Sequence, residues 1–506
     1  MKTRPTPTTQ PPQPKTLDRE TYYPAFKAND ARFDGRIFVG VSSTGIYCRP
    51  VCRAKMPKKE NCTFYVSSAA AEAAGYRPCL LCRPELAPGL APVDASPRLA
   101  RRAALSMEEN FPCENNLQEL SAALGVTDRH LRRVFEAEFG VSPVQYLQTN
   151  RLLLAKSLLT DTGLPVTEIA FAAGFGSVRR FNALFRAHYR MTPSALRKES
   201  APSAGDGDGI TLYLGYRPPY PWNDVLAFLA ARAIPGVEAV SDGTYRRTAA
   251  LSQDEKIYHG WISVRHDERG RIKKTRNALA VTLSRTLLPV LPKALARIKH
   301  LFDLQCDPAE IYAKLGVMND IRDGLCAPGT RLPGCFDPFE MAVRAVLGQQ
   351  ITVKAARTLA GRIAAVYGTA LAAPACGLTH TFPAAADFCA MGDSIQERLG
   401  VLGVTGARSR SIRALASAVS SGEIELTRSG DLDAQMKKIL ALPGFGPWTV
   451  QYIAMRALGW PDAFPHTDYG VKKALEGQTP KEILALSEQW SPWRAYATIN
   501  LWNSLR

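Results

Sequence analysis

The stretches GIYCRPVCRAK (residues 45–55) and YRPCLLC (residues 76–82) carry two short-spaced pairs of cysteines. The four residues are Cys48, Cys52, Cys79 and Cys82. Three residues separate the first pair, two residues separate the second, and 26 residues lie between the pairs. A tetrahedral site of four thiolates requires this kind of spacing, so the sequence predicts that the quartet binds one Zn²⁺. On spacing alone, such a site is structural and replaces a missing hydrophobic core.

The surroundings of the quartet predict a small zinc-bound α/β domain over residues 18–90. Helical periodicity is weak there, and the pieces GRIFVGVSS (residues 35–43) and CTFYVSS (residues 62–68) are typical of strands. The preceding residues 1–17 are basic and rich in proline and threonine. They lack the apolar centre of a signal peptide, so we expect a disordered tail.

Length and charge indicate several domains and a polyanionic partner. Protein domains typically contain about 150 residues. The 506 residues are therefore expected to form three or four domains. The formal net charge is +17, with 28 Lys and Arg against 18 Asp and Glu in residues 1–200 and 35 against 28 in the remainder. Because both halves are basic, nucleic acid is the expected partner, and the family resemblances of the later segments imply that it is double-stranded DNA.

The chain contains no predicted membrane span. Its longest uncharged run, residues 363–386, is interrupted by glycine and proline, which predicts a helix followed by a loop. Eleven cysteines, an odd number, fit a reducing cytosol better than a disulfide framework, so we expect a cytoplasmic location. Seven cysteines are expected to be ordinary buried thiols: Cys62, Cys113, Cys306, Cys326, Cys335, Cys376 and Cys389.

Residues 91–198 contain two helix-turn-helix patterns. In LQELSAALGVTDRHLRRVFEAEFG (residues 117–140), apolar residues recur every three or four positions and Gly125 stands at the corner. VTEIAFAAGFGSVRRFNALFRAHYRMTP (residues 166–193) repeats the pattern, with Gly174 at its corner. An all-α fold is therefore predicted here.

These two units, joined by the helix predicted in SPVQYLQTNRLLLAKSLLTDT, closely resemble the AraC-type DNA-binding domain. The resemblance implies that the second helix of each unit enters a DNA major groove. It places Arg129 and Arg132 of the first unit, and Ser177, Arg179 and Arg180 of the second, near bases or phosphates. The alternative is an ordinary helical bundle with arginines on its solvated face.

Beyond a Gly- and Ser-rich linker at residues 199–209, two further regions follow. Mixed strand and helix patterns predict an α+β subdomain at residues 210–320, and nearly continuous helical patterns predict an all-α domain at residues 321–506. The second contains LPGFGPWT (residues 442–449), which has the form of a DNA-binding helix-hairpin-helix.

The hairpin and the residues after it suggest an active site. Gly444 and Gly446 are expected to let backbone amides approach a phosphate. Asp468 follows in PHTDY, some twenty residues later. Without this context, an aspartate before a helix is usually an N-cap.

With this context, residues 209–506 resemble the AlkA type of 3-methyladenine DNA glycosylase, of the helix-hairpin-helix superfamily. The resemblance implies that the α+β subdomain is TBP-like and that Asp468 is the catalytic carboxylate. It implies an aromatic base pocket, made of Trp448, Tyr452, Trp502 and Phe228. For each aromatic residue, packing in the core is the alternative.

Two features narrow the expected chemistry. Trp448 stands where superfamily members that also cleave the backbone carry a Schiff-base lysine, which predicts a monofunctional glycosylase. No cysteine follows Cys389, so no iron–sulfur cluster is expected.

Two residues depart from the resembled pattern. Gln350 replaces the intercalating leucine, and Thr467 replaces an acidic residue before Asp468.

The cysteine quartet beside an AraC-type domain resembles the Ada type of methylation-response activator. The resemblance implies that Cys48 accepts a methyl group from a DNA methylphosphotriester and that Thr44, Lys55 and Arg77 contact phosphate. Lys55 stands where the resembled family has arginine, so a bidentate contact is reduced to a point charge. Zinc keeps the sulfur ionised, and a methylated phosphate is neutral, so the physical chemistry is compatible with this role.

The sequence therefore predicts a methyl-accepting transcription activator fused to a glycosylase for alkylated bases. An activator also implies RNA polymerase as a partner. Two alternatives remain open: a regulator whose C-terminal domain only binds DNA, and a glycosylase whose zinc domain is purely structural.

Overall fold

The computed structural model describes residues 16–88, 98–110, 117–199, 209–266 and 277–506. In chain order they form a small sheet with two helices, a helical bundle, a second sheet and a mostly helical C-terminal part. The predicted multidomain α+β class is confirmed. None of the helices in the described ranges combines the length and apolarity needed to cross a membrane.

The first part is a five-stranded sheet with order β1-β4-β2-β3-β5, in which β3 and β5 run parallel and the other neighbours antiparallel. Its elements are β1 (Thr16–Leu17), α1 (Arg19–Lys27), β2 (Phe38–Val41), β3 (Ile46–Cys48), β4 (Cys62–Tyr65), α2 (Ser68–Ala73) and β5 (Arg77–Pro78). The β-rich pieces found in the sequence are thus β2 and β4, which pair directly.

The tail prediction needs a correction at its end. Residues 16–17 form the edge strand β1, which pairs with β4 through Thr16 and Tyr65, and Leu17 packs on the apolar cluster beneath. A stretch of two residues is too short to show hydrophobic periodicity in the sequence. Its conformation depends on the strand with which it pairs. The rest of the predicted tail lies outside the described residues.

The described residues of the helical region form seven helices. They are α3 (Arg98–Asn110), α4 (Leu117–Ala123), α5 (Asp128–Phe139), α6 (Pro143–Asp161), α7 (Val166–Ala172), α8 (Val178–Tyr189) and α9 (Pro193–Glu199). Gly125 and Gly174 have φ of +70° and +82°, the left-handed conformation that each tight corner requires. The side chains of Thr127 and Ser177 cap α5 and α8, which are therefore fixed at their N-termini.

The second sheet is antiparallel throughout, with order β6-β10-β9-β8-β7. This region contains β6 (Gly209–Gly215), α10 (Trp222–Arg232), β7 (Glu238–Ser241), β8 (Thr244–Gln253), β9 (Lys256–His266), β10 (Ala278–Ser284), α11 (Leu291–Leu301) and α12 (Pro308–Leu315). Most of the predicted linker before β6 lies outside the described residues.

The C-terminal part is helical except for one hairpin. Its elements are α13 (Pro338–Leu347), α14 (Val353–Tyr367), β11 (Ala370–Ala375), β12 (Leu378–His380), α15 (Ala385–Cys389), α16 (Ile395–Gly400), α17 (Gly406–Ser420), α18 (Leu432–Ala441), α19 (Pro447–Arg456), α20 (Tyr469–Ala474), α21 (Pro480–Ser487) and α22 (Arg494–Asn503). The hairpin β11–β12 replaces the loop predicted after α14. The last helices return to the sheet, since Val471 and Leu501 share one core with Leu279.

The cysteines outside the quartet are only partly as expected. Cys62, Cys306, Cys326 and Cys335 are buried, whereas Cys376 and Cys389 are exposed. Cys376 lies in the tight turn of the β11–β12 hairpin with φ of +53°, which places it at the surface. The predicted thiol at position 113 lies outside the described residues.

Candidate functional site

The two cysteine pairs meet because β3 and β5 are neighbours. Tyr47 pairs with Pro78, so the next residues, Cys48 and Cys79, lie side by side at the ends of these strands. A turn in which the Cys52 N–H donates to the Arg49 carbonyl returns the chain to the same place. The four Sγ atoms lie within 4.8 Å of one another, and all four cysteines are buried.

This donor set fits a zinc ion. Tetrahedral coordination with Zn–S bonds of about 2.3 Å places sulfurs roughly 3.8 Å apart, compatible with the observed cluster. Only this quartet, among the residues that the structure describes, brings three or more Cys, His, Asp or Glu side chains into metal-binding positions. Hydrogen bonds from the Cys48 thiol to the other sulfurs, that of Cys52 first, raise the pKa of Cys48, because four sulfurs this close cannot all be anions without a cation.

Backbone donors distinguish the two pairs. The Leu81 N–H donates to Sγ of Cys79 and the Arg49 N–H to Sγ of Cys82, each at 3.3 Å. Within the described ranges, no backbone N–H donates to Sγ of Cys48. Hydrogen bonding lowers the nucleophilicity of a thiolate, so these donors weaken the sulfurs of Cys79 and Cys82 as nucleophiles.

The predicted phosphate contacts lie on the strands and loops that carry the cysteines. Thr44, in the turn between β2 and β3, and Lys55, in the loop after Cys52, are exposed. Arg77 on β5 is half-buried, and its backbone N–H donates to the Gly45 carbonyl. Thr44 and Arg77 therefore lie near the start of β3, and Lys55 lies in the loop after the first cysteine pair.

The predicted DNA-reading arginines are exposed on α5 and α8. Arg129 and Arg132 lie on α5, where Arg132 pairs with Asp128 at 3.0 Å. Arg179 and Arg180 lie in the first turn of α8. The opposite faces of both helices are buried, so each presents its arginines away from the core.

Glu72 links the cysteine domain to the helical region, and sequence reasoning missed it. This buried carboxylate accepts a hydrogen bond from the Tyr47 hydroxyl at 2.9 Å and from Thr149 of α6 at 3.2 Å. His188 Nδ1 of α8 lies 3.4 Å from it. The only sequence signal is an acidic residue within the apolar helix SAAAEA. Through Glu72, the residue next to Cys48 contacts the second DNA-reading helix.

The helix-hairpin-helix consists of α18, α19 and the turn between them. Gly444 has φ of +82°, and a Cβ there would lie 2.2 Å from Oγ of Ser411, so glycine is required on two grounds. Gly446 is extended and precedes α19. Gln349 Nε2 donates to the Gly444 carbonyl at 2.9 Å, which joins this turn to the α13–α14 turn.

Gln350 lies at the tip of the α13–α14 turn, exposed and with φ of +56°. Gln349 also donates to Thr449 Oγ1 at 3.0 Å, and its carbonyl accepts a hydrogen bond from Arg408. Neighbouring contacts therefore hold the turn firmly, and Gln350 projects beside the cavity described next.

Asp468 lies in a cavity of about 1120 Å³ between this turn and the hairpin. Its Oδ2 accepts a hydrogen bond from the Trp448 indole at 2.9 Å, and its Oδ1 accepts one from the Trp502 indole at 2.8 Å. The N–H groups of Gly470 and Val471 also donate to Oδ1, at 2.8 and 3.2 Å. Asp468 is therefore the N-cap of α20 as well as a cavity residue, and four donors fix its orientation.

Aromatic rings form one side of the cavity. Trp448 and Tyr452 stack with centroids 5.3 Å apart, and the Tyr452 centroid lies 6.3 Å from that of Trp502. A Cβ at Gly470 would lie 2.7 Å from Trp502, so the small residue after Tyr469 admits the indole. Thr467 and Tyr469, which flank Asp468, also line the cavity.

The prediction for Phe228 needs a correction. Phe228 is buried and stacks behind Trp502, with centroids 6.2 Å apart, instead of lining the cavity. The guanidinium of Arg232 lies 3.8 Å from the Phe228 ring centre and does reach the cavity. Burial lowers the pKa of Arg232 to about 10. Sequence reasoning missed Arg232 because only the packing of α10 shows which side chain faces the opening.

Three family models match the chain. The metal binding domain of Ada matches residues 21–85, a helix-turn-helix domain matches residues 120–199, and the AlkA N-terminal domain matches residues 211–337. The DNA-3-methyladenine glycosylase 2 of Escherichia coli is 38% identical over 292 residues, which cover 57% of this chain and 95% of that protein.

One relative resembles part of the N-terminal half of the chain, and another resembles nearly the whole chain. The bifunctional transcriptional activator/DNA repair enzyme Ada of Escherichia coli is 35% identical over 150 residues, 29% of this chain and 40% of that protein. A protein of Mycobacterium tuberculosis, named probable bifunctional transcriptional activator/DNA repair enzyme AlkA, is 38% identical over 497 residues, 96% of this chain and 97% of that protein. Because this likeness spans both halves, the chain belongs to the family of bifunctional transcriptional activator/DNA repair enzymes of the AlkA type.

Proposed function

We propose that the chain is a bifunctional alkylation-response protein. One half is a transcription activator that accepts a methyl group from DNA on Cys48, and the other is a monofunctional DNA glycosylase that releases alkylated bases such as 3-methyladenine. The observation that carries the proposal is the carboxylate of Asp468, fixed by two indoles inside an aromatic cavity beside a helix-hairpin-helix. The proposal includes the domain boundaries that the sequence predicts.

In the glycosylase half, Asp468 stabilises the transition state. An N-alkylated purine is cationic, so it leaves as a neutral base when the glycosidic bond breaks. Positive charge then develops on the sugar, where a fixed carboxylate provides stabilisation and orients the attacking water. The indole N–H groups of Trp448 and Trp502 hold both carboxylate oxygens, so little reorganisation is needed during the reaction.

The aromatic rings select the damaged base. A base must leave the duplex before its glycosidic bond is accessible, and weakly paired alkylated bases do so at the lowest cost. The faces of Trp448, Tyr452 and Trp502 favour a cationic base by about 1–2 kcal/mol each. Gln350 at the exposed turn is positioned to occupy the space that the base leaves, and Gly444 and Gly446 bring backbone amides towards a phosphate.

Base release tests this half directly. Duplex DNA treated with a methylating agent is incubated with the full chain, and free bases are separated by chromatography. We expect 3-methyladenine to be released without strand cleavage, since Trp448 replaces a Schiff-base lysine. Failure to release any methylated base would refute the glycosylase assignment.

In the activator half, Cys48 is the methyl acceptor. Its thiolate attacks the methyl carbon of a methylphosphotriester, an S–C bond forms, and the C–O bond breaks with its electron pair remaining on the phosphate. A bound zinc ion keeps the four sulfurs ionised at neutral pH. Cys79 and Cys82, which accept backbone hydrogen bonds, are weaker nucleophiles than Cys48.

DNA contacts complete the activator assignment. Thr44 and Lys55 are exposed and Arg77 is half-buried, so their side chains are proposed to contact the phosphate backbone. Converting one thiolate to a thioether reduces the formal charge of the centre from −2 to −1 and weakens its repulsion of DNA. The arginines of α5 and α8 then bind the promoter, and RNA polymerase is the further partner of such an activator.

We expect Glu72→Gln to weaken the response to methylation. The amide cannot pair with His188 or accept both present hydrogen bonds, so the contact from Tyr47 to α6 and α8 is reduced. Coupling between sites is commonly worth 5- to 150-fold in affinity, so we expect the methylation-induced gain to fall by about 5-fold or more. Binding to a promoter DNA selected with the methylated wild-type protein, before and after methylation, measures this gain.

The matched control is Glu60→Gln, which changes an exposed acidic residue of the same domain. Zinc content and methyl uptake are expected to be unchanged in both variants. An undiminished gain in Glu72→Gln would show that Glu72 does not couple the two domains.

A further inference from the structure

Tyr452 has a contact that base stacking does not require. It lies on α19 one turn after Trp448 and lines the cavity. Its hydroxyl oxygen accepts a hydrogen bond from Nη1 of Arg456 at 3.1 Å. Because Arg456 supplies that donor, the hydroxyl proton of Tyr452 remains available for donation to a bound group.

The charges around Tyr452 are mainly positive and come from three helices. Arg456 lies on α19, Arg232 on α10 and Arg344 on α13, where Arg344 is itself paired with Glu238 at 3.0 Å and Glu340 at 3.2 Å. Asp468 is the negative group that acts on Tyr452 directly. Burial alone raises the pKa of a phenol, but the three guanidinium groups outweigh burial and Asp468, and the pKa of Tyr452 lies below its ordinary value. Structural contacts fix Arg456, whose Nη2 donates to the Gly334 carbonyl at 3.0 Å.

A phenol with this environment has no function in releasing a cationic base, which leaves without gaining a proton. An uncharged purine is different, since its departure as an anion is costly and protonation of a ring nitrogen facilitates bond breaking. The cavity would therefore hold an anion stabilising the sugar and a separate donor for the base.

We propose that Tyr452 is the general acid that protonates the leaving base when that base is uncharged, an inference that rests on the proposed glycosylase function. The hydroxyl proton moves to a ring nitrogen as the C1′–N bond breaks, and the bonding electron pair goes to the base. Arg456 stabilises the resulting phenolate. Water then adds to C1′, and the proton that it releases restores the phenol.

The test measures the release of two different bases by the wild-type protein and by Tyr452→Phe. This substitution retains the stacked ring and removes the hydroxyl. Single-turnover release is measured from duplexes holding either 7-methylguanine, which is cationic, or hypoxanthine, which is not. We expect hypoxanthine release to fall by about 10²-fold, as for loss of a general acid. Release of 7-methylguanine should fall at least about 10-fold less than release of hypoxanthine, because the cationic base needs no proton and loses only its contact with the hydroxyl.

The pH profile provides a second readout. Wild-type release of hypoxanthine should decline as pH rises through the lowered phenol pKa, because the donor loses its proton, whereas Tyr452→Phe should lack this decline. Tyr312→Phe, at a partly exposed tyrosine of α12, is the matched control.

Several results would overturn the proposal. An equal loss on both substrates would assign Tyr452 a packing role, and undiminished hypoxanthine release would remove the role altogether. A wild-type chain that releases 7-methylguanine but no hypoxanthine would also contradict it. If wild type releases neither base and no 3-methyladenine from methylated DNA, the glycosylase function itself fails; if it releases 3-methyladenine alone, only this inference fails.

Discussion

Asp468→Asn is expected to reduce the release of 3-methyladenine from methylated DNA by about 10³-fold, the scale seen when a group that stabilises transition-state charge is removed. The substitution removes the negative charge facing the sugar while the side chain keeps nearly its shape. The remaining amide oxygen can still accept one of the hydrogen bonds from Trp448, Trp502 or the start of α20. Single-turnover chromatography of the free base measures the effect.

Controls separate charge from folding. Loss of an acceptor for a buried N–H costs about 1–3 kcal/mol, so Asp468→Asn should lower thermal stability only modestly. Asp431→Asn removes a charge at the N-cap of α18, away from the cavity, and should leave base release unchanged. Near-normal release by Asp468→Asn would contradict the catalytic assignment, and binding to DNA with an abasic site should persist in every variant.

Cys48→Ser is expected to abolish methyl uptake from methylphosphotriester DNA and, with it, the methylation-induced increase in promoter binding. A neutral hydroxyl is a far weaker nucleophile than a thiolate, so no residual transfer is expected. Mass spectrometry of peptides from the exposed wild-type protein should place one added methyl group on Cys48. Base release by the C-terminal half should be unaffected.

The appropriate comparison is Cys62→Ser, which removes a buried thiol of the same domain that lies outside the quartet. It should retain zinc and methyl uptake. Zinc content must be measured for Cys48→Ser as well, because three thiolates bind the ion less tightly. A methyl group found on Cys52, Cys79 or Cys82 of wild type would refute the assignment to Cys48.

Local patterns accounted for much of what could be predicted. The cysteine spacing, the two glycine corners and the LPGFG turn each depend on a few neighbouring residues, so their structure follows from the sequence around them. The errors arose where position depends on distant partners. Residues 16–17 join a strand more than forty positions away, and Phe228 lies behind Trp502 because of how α10 packs against α22.

By itself, the sequence determined the multidomain α+β class, the cysteine quartet, the double helix-turn-helix and the position of Asp468 after the hairpin. Only the tertiary structure decided that the indoles of Trp448 and Trp502, 20 and 34 positions from Asp468, converge on its two oxygens. It also decided that Glu72 joins Tyr47 to α6 and α8, and that three guanidinium groups surround Tyr452. The physical reason is that charge and hydrogen bonding act over a few ångströms, and those distances exist only after separate helices have packed together.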